Sequence, residues 1–275
     1  MESAALRASS SLSGCKEIGL RRRPAFLPIA GRVYHGSVGG EGVNKDEIRR
    51  ELGRLHRSLF GCDGGNIRAK LWVCGIEWGG DLQALCHYPN QSYPGTTPTS
   101  LQIPYRTERG VPDAWRSSRY DLCLAGLCLR LFHDWQPEQD RSCRQTYLLH
   151  RLYNKNSDIF KLNLYSYPCP NVKTWDEDAK EFTRCEKKPH FRDRCKSERF
   201  PLVVALLKSY KPKVVLCTGT SYRPAFLTAF TGEACATLQA RQGCLEIYQT
   251  GHTKVVIAPF RRLGSSLAED VKRLL

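Results

Sequence analysis

The stretch KLWVCGIEWGGD, Lys70 to Asp81, decides how the rest of the chain is read. Its first half is apolar and reads as a β-strand, and its second half turns into glycines with one carboxylate, Glu77, among them. Two readings of that carboxylate stand. Gly79 and Gly80 permit a tight turn and the glutamate points into water, or the turn presents backbone N–H groups and a carboxylate to a ligand.

Strands and helices alternate on both sides of this segment. Upstream, Asn44 can cap a helix with Asp46 and Glu47 in its first turn, and Ile48, Leu52, Leu55 and Leu59 repeat on one face. The break GCDGGN, 61–66, then leads into the strand. Downstream, residues 82–118 are rich in Pro, Gly, Ser and Thr without a period, a long loop of the kind that is commonly functional. YDLCLAGLCLRLFHDW, from Tyr120, predicts a helix apolar enough to be buried. DIFKLNLYSYPCPN predicts a strand stopped by Pro168 and Pro170, and residues 171–199 form a charged insertion. RFPLVVALLKSY reads as a helix, KPKVVLCTGT as a buried strand and SYRPAFLTAF as another helix. GCLEIYQTG and HTKVVIAPF read as two strands, the first an edge hairpin partner. LGSSLAEDVKRLL closes the chain as an amphipathic helix with Leu267, Val271, Leu274 and Leu275 inward.

This alternation predicts an α/β fold: a three-layer α/β/α sandwich whose central sheet is mostly parallel. Residues 1–43 are expected as a flexible basic segment and 44–275 as a single domain. In such sheets ligands bind beyond the carboxyl ends of the strands. Three strand ends carry unusual residues: Glu77 with its glycines, Asn163 with the prolines, and Pro259 with Arg261 and Arg262. Their convergence is the central structural expectation.

Composition narrows the partner. Lys and Arg number 42 against 27 Asp and Glu, a formal charge of +15, which favours polyanions and nucleic acid above all. Thirteen cysteines sit scattered in apolar segments, Cys74, Cys123, Cys128 and Cys217 among them, and suit reduced buried thiols more than a disulfide scaffold. No apolar run approaches the roughly 20 residues that span a bilayer. A cytoplasmic or nuclear monomer is therefore expected. The Arg- and Ser-rich start also suits an organelle-import segment, although Glu2 and Glu17 do not.

The order of segments resembles the uracil-DNA glycosylase superfamily. WVCGIEWGG looks like that family's first motif, and FKLNLYSYPCPN is similar to its second strand, with an Asn-Leu pair before a proline-rich loop. FPLVVALLKSYKPKVVLCTGTSYRPAF resembles the helix, Lys-Pro turn, strand and glycine that precede the last motif. VVIAPFRRLGSSL takes the place of the closing strand and His-Pro-Ser loop, with Ala258 where the family has its histidine. Together the likeness covers roughly residues 68 to 275.

The resemblance implies a protein that engages DNA bases, with hydrolysis of the N-glycosidic bond of uracil or a related damaged base as the family activity. Glu77 corresponds to the residue that positions water, with Gly75 opening the turn, and a carboxylate there can stabilise positive charge developing at C1′. Glutamate is one methylene longer than the usual residue, and Trp78 replaces a proline. Asn163 corresponds to the amide that reads a base edge, or else satisfies backbone in a Pro-rich turn. Arg261 and Arg262 fall in the loop that enters the minor groove in relatives, where they can clasp phosphate or donate to a base oxygen. Tyr88, Tyr93 and Tyr105 in the long loop are candidates to stack an extruded base. His252, six residues before Ala258 on the same strand, lies too far along it to replace the missing histidine. The alternative, favoured by Ala258, is a non-catalytic nucleic-acid- or base-binding module of the same fold. A nucleoside hydrolase is a third reading, but it needs no basic surface.

No cofactor is expected. Some branches of the superfamily hold a four-iron cluster through four cysteines, two of them before the first motif, and here only the well-separated Cys15 and Cys62 precede it. Cys169, Cys185, His190 and Cys195 are a zinc alternative whose spacing matches no standard finger, set against solvent-facing residues in a mobile loop.

Overall fold

A computed structural model of the chain describes residues 62–77, 118–135 and 141–275, apart from 155, 168, 170, 172, 234, 265 and 266. The 1–43 segment, the helix expected over 44–59, and the long loop with Tyr88, Tyr93 and Tyr105 lie outside the described residues. So do Trp78, Gly79 and Gly80.

The apolar run after Lys70 is a strand. After a two-residue strand β1 (Gly64–Gly65), β2 runs Leu71–Gly75 with every residue buried. Alternate side chains serve two separate cores, as the period of a strand requires. Trp72 and Cys74 pack with Phe160, Leu162, Val215 and Phe226, while Leu71 and Val73 pack with Leu124, Leu127, Leu148 and Val271. Burying one such large side chain contributes about 1.5–3 kcal/mol.

Ser118 caps helix α1 (Arg119–Phe132), accepting from the Asp121 N–H, and Asp121 adds charge to the first turn. α2 (Arg141–His150) follows, then β3 (Ile159–Asn163). The charged insertion is helical. Asp176 caps α3 (Glu177–Thr183) through the Ala179 N–H, and α4 is Lys188–Glu198. Its apolar minority explains this: Phe182, Phe191 and Cys195 belong to the core that also holds Trp72. Most of the remaining positions are charged and solvent-facing, with Lys188 and Arg199 buried among them, so the insertion is part of the folded layer and not a solvated loop.

The chain continues through α5 (Phe200–Tyr210), β4 (Val214–Thr218) and a 3₁₀ turn into α6 (Arg223–Thr231). β5 (Leu238–Gln242), β6 (Leu245–Thr250) and β7 (Thr253–Ala258) are joined by two-residue loops in which Gly243 and Gly251 take positive φ, the conformation tight hairpins need. A 3₁₀ turn at Phe260–Arg262 precedes the short helix α7 (Ala268–Lys272).

Among the described residues the strands form one seven-stranded mixed sheet in the order β1-β3-β2-β4-β7-β6-β5. β3, β2, β4 and β7 are mutually parallel, while β1 joins β3, β6 joins β7 and β5 joins β6 by antiparallel pairing. The fold is thus α/β with a parallel centre. The hairpin partner expected at the edge is one place further in, because the unanticipated, largely exposed β5 takes the edge.

Strand order reverses between β2 and β4: from β2 the chain goes to β3 on one side, then returns to lay β4 on the other. That crevice is where an open parallel sheet receives a ligand. No helix among the described residues is long and apolar enough to cross a membrane.

Candidate functional site

The carboxyl ends of the parallel strands come level. Gly75 is the register partner of Asn163, Cys74 of Cys217, and Thr218 of Ala258. Backbone pairing runs past the strands themselves: Leu164 N donates to Gly75 O and Tyr165 N to Ile76 O, at 2.9 and 2.8 Å. Gly219 N donates to Ala258 O at 2.8 Å. The three segments expected to converge therefore share one sheet edge, but the Glu77 and Asn163 side chains turn to different partners.

Glu77 leaves β2 toward α4. Its side chain is only 5% exposed and lies 3.0 Å from the Lys188 ammonium and 3.9 Å from Arg192. Lys188 also donates to the carbonyls of Asn171 and Thr174, which fixes its position. The Arg192 guanidinium sits over the rings of both Tyr165 and Tyr222, 5.2 Å from each centroid. Burial raises the Glu77 pKa above its ordinary value, against the pull of Lys188 and Arg192. Glu77, Arg192 and Tyr222 stand at the reversal of strand order, where β2 and β4 end.

Asn163 faces the other side. A buried network holds it: the Lys161 ammonium donates to Asn163 Oδ1 at 2.7 Å and lies 2.9 Å from Asp63 Oδ2, and Asn163 Nδ2 donates to Asp63 Oδ2 at 3.2 Å. Lys161 shares its strand face with Ile159, whose core includes α1, and its ammonium lies over the Tyr120 ring of α1, 5.2 Å from the centroid. Burial alone would lower the Lys161 pKa, but Asp63 overrides it and holds the ammonium charged above its ordinary value. Arg199, fully buried, braces the same strand end by donating to the carbonyls of Asn163 and Leu164 at 2.9 and 3.0 Å. The Asn163 amide is thus committed on both its oxygen and its nitrogen within the network.

Gly75 lies between the two groups. A Cβ there would come 2.5 Å from Asn163 Oδ1 and 3.2 Å from Lys161 Nζ, so the close approach requires glycine. Beyond β7, Arg261 and Arg262 are exposed in the 3₁₀ turn, next to a Phe260 that is 56% exposed. Ala258 is fully buried and His252 is exposed at the start of β7, the far end of the strand.

The zinc alternative is not realised. Cys169, Cys185 and Cys195 are buried with the core around Trp72, whereas His190 is exposed on α4. Among the described residues no group of three or more His, Cys, Asp or Glu side chains is placed to hold a metal ion. Cys74, Cys128 and Cys217 are buried, unbridged thiols, and burial pushes the pKa of each above the ordinary thiol value.

Sequence reasoning missed Asp63, Lys161, Lys188, Arg192 and Arg199. Lys161 carried a signal, a lysine inside the apolar run IFKLN, since a buried ammonium needs a partner. Lys188 and Arg192 gave none, being two cations among many in a charged segment. The chain matches no protein-family model, and a search of curated proteins finds no match either.

Proposed function

We propose that this protein engages the bases of DNA at the carboxyl edge of its parallel strands, in a three-layer fold like that of the uracil-DNA glycosylases. The observation that carries the reading is the level ending of β3, β2, β4 and β7. It brings the Glu77 turn and the Arg261–Arg262 turn to one edge, with the order reversal between them. The third layer is supported by the two cores on opposite faces of β2. The formal charge of +15 supplies the attraction to phosphate.

Of the two forms of this reading, the geometry favours binding over hydrolysis. Glu77 turns toward α4 and is paired with Lys188, while Asn163 is committed to Lys161 and Asp63 on the other face. Ala258 brings no donor to a departing base. Hydrolysis keeps one support, the carboxylate at the crevice.

Incubation with uracil-containing single- and double-stranded oligonucleotides separates the forms. A binding module retains the oligonucleotide, yields no abasic sites, and binds equally well as Glu77→Gln. Abasic product that disappears in Glu77→Gln assigns hydrolysis instead. An absence of any binding overturns the proposal.

A further inference from the structure

We propose that Phe260 is a stacking platform for one base of single-stranded DNA, flanked by guanidinium groups that hold the adjoining phosphates. The proposal rests on the nucleic-acid reading above and names the surface and the strand form.

Phe260 is one of only two large hydrophobic side chains exposed among the described residues, 56% against 36% for Leu238. Its ring is not loose. It stacks on Tyr120 with centroids 5.6 Å apart and planes 21° from parallel. Tyr120 is itself anchored in the first turn of α1, with the Lys161 ammonium over its ring and the Thr218 hydroxyl beside its own. Burial pushes the Tyr120 pKa up to about 12, so the ring stays neutral at physiological pH. Phe260 is therefore presented as a preformed surface whose ordering is already met by the fold.

Three arginines are chain neighbours of that pair of rings. Arg261 and Arg262 follow Phe260 directly, and Arg119 precedes Tyr120; all three are exposed, and among the described residues no acidic side chain pairs with them. An exposed aromatic face with exposed arginines next to it in the chain suits the recognition of a base with its neighbouring phosphates.

The stack also decides the strand form. One face of Phe260 is taken by Tyr120, so the ring offers a single face and cannot wedge between two base pairs. Bases inside a duplex have no free face to offer it. A single strand does.

The test measures anisotropy of a labelled oligothymidylate of about 12 nucleotides, within the range of known single-strand sites. The comparison strand has the same length and backbone but tetrahydrofuran in place of every base, and a duplex of the same length is the third probe. Phe260→Ala is expected to weaken binding of the thymidylate about tenfold and to leave the baseless strand unchanged. Phe260→Trp is expected to restore or exceed wild-type affinity. The double variant Arg261→Gln/Arg262→Gln should weaken both single strands. Equal binding by Phe260→Ala and wild type, equal loss on both single strands, or a preference for duplex overturns the platform while leaving nucleic-acid binding intact. Failure of the wild-type protein to bind any of the three overturns the platform and the reading beneath it together.

Discussion

Gly75 and Asn163 are register partners at the ends of β2 and β3, packed so closely that a Cβ on the glycine would lie 2.5 Å from the asparagine's Oδ1. Neither neighbour can retreat, because Asn163 Oδ1 accepts from Lys161 and Arg199 pins the strand's backbone carbonyl. Gly75→Ala is therefore expected to destabilise the fold by about 1–3 kcal/mol, read as a lower denaturation midpoint at unchanged m-value.

The Lys161–Asp63 pair lies 2.9 Å apart with side chains 4% and 5% exposed. Removing either partner leaves a buried charge uncompensated. Lys161→Met alone should cost about 3–5 kcal/mol, and adding Asp63→Leu should recover part of that loss. The sign of the pH dependence follows from the raised lysine pKa. The pair's contribution is complete below the unfolded-state lysine pKa of about 10.4 and fades only as pH climbs through the higher folded value. Denaturation midpoints of wild type and Lys161→Met across alkaline pH check this, the wild-type advantage shrinking as pH rises.

Glu77 behaves in the opposite sense to a typical paired carboxylate. Burial raises its pKa above the unfolded value even with Lys188 at 3.0 Å. The folded state then holds the proton more tightly than the unfolded one, so this group's contribution falls as pH rises from the unfolded carboxylate pKa, about 4.3, through the folded one. Lys188→Met should move the Glu77 titration, followed by its carboxyl carbon resonance, to still higher pH. An unmoved titration would mean that the ion pair does not govern the carboxylate.

A control lies near the start of β3, away from the candidate site. Asp158 accepts from Tyr147 Oη at 2.7 Å and lies 2.8 Å from His133 Nε2 and 3.3 Å from Arg151. Burial acts to raise its pKa, but those hydrogen bonds and the Arg151 charge hold it below the ordinary value. Its contribution is present above the unfolded aspartate pKa, about 3.9, and is lost as pH falls through the lower folded one. Tyr147→Phe should cost about 1–2 kcal/mol at neutral pH, less in acid, and leave oligonucleotide binding unchanged.

Much of the fold was legible because burial writes itself into period and length. Trp72 to Cys74, the apolar body of α1 and the Val214–Thr218 strand each announce themselves by composition. α2 and β5 did not, since α2 buries only Tyr147 and Leu148 and β5 is almost wholly exposed, leaving little pattern to read. Of the site, the shared edge was legible from strand ends. The directions of Glu77 and Asn163 were not, because they depend on partners distant in sequence: Lys188 for one, Asp63 for the other. A charged stretch conceals which cation is buried, and the segment holding Lys188 was indistinguishable from a solvated one.

The central proposal is that this protein binds DNA at the edge where the parallel strands end, with its excess of positive charge attracting phosphate. The most direct measurement is the affinity for a single-stranded oligonucleotide between 50 and 200 mM salt, a range over which about 6–10 phosphate contacts weaken binding by roughly 10³–10⁵ and fewer contacts proportionately less. The account predicts a steep linear fall of log affinity with log salt, with the slope reduced in Arg261→Gln/Arg262→Gln. Affinity that is flat across that range, or a slope untouched by removing those two arginines, would contradict it.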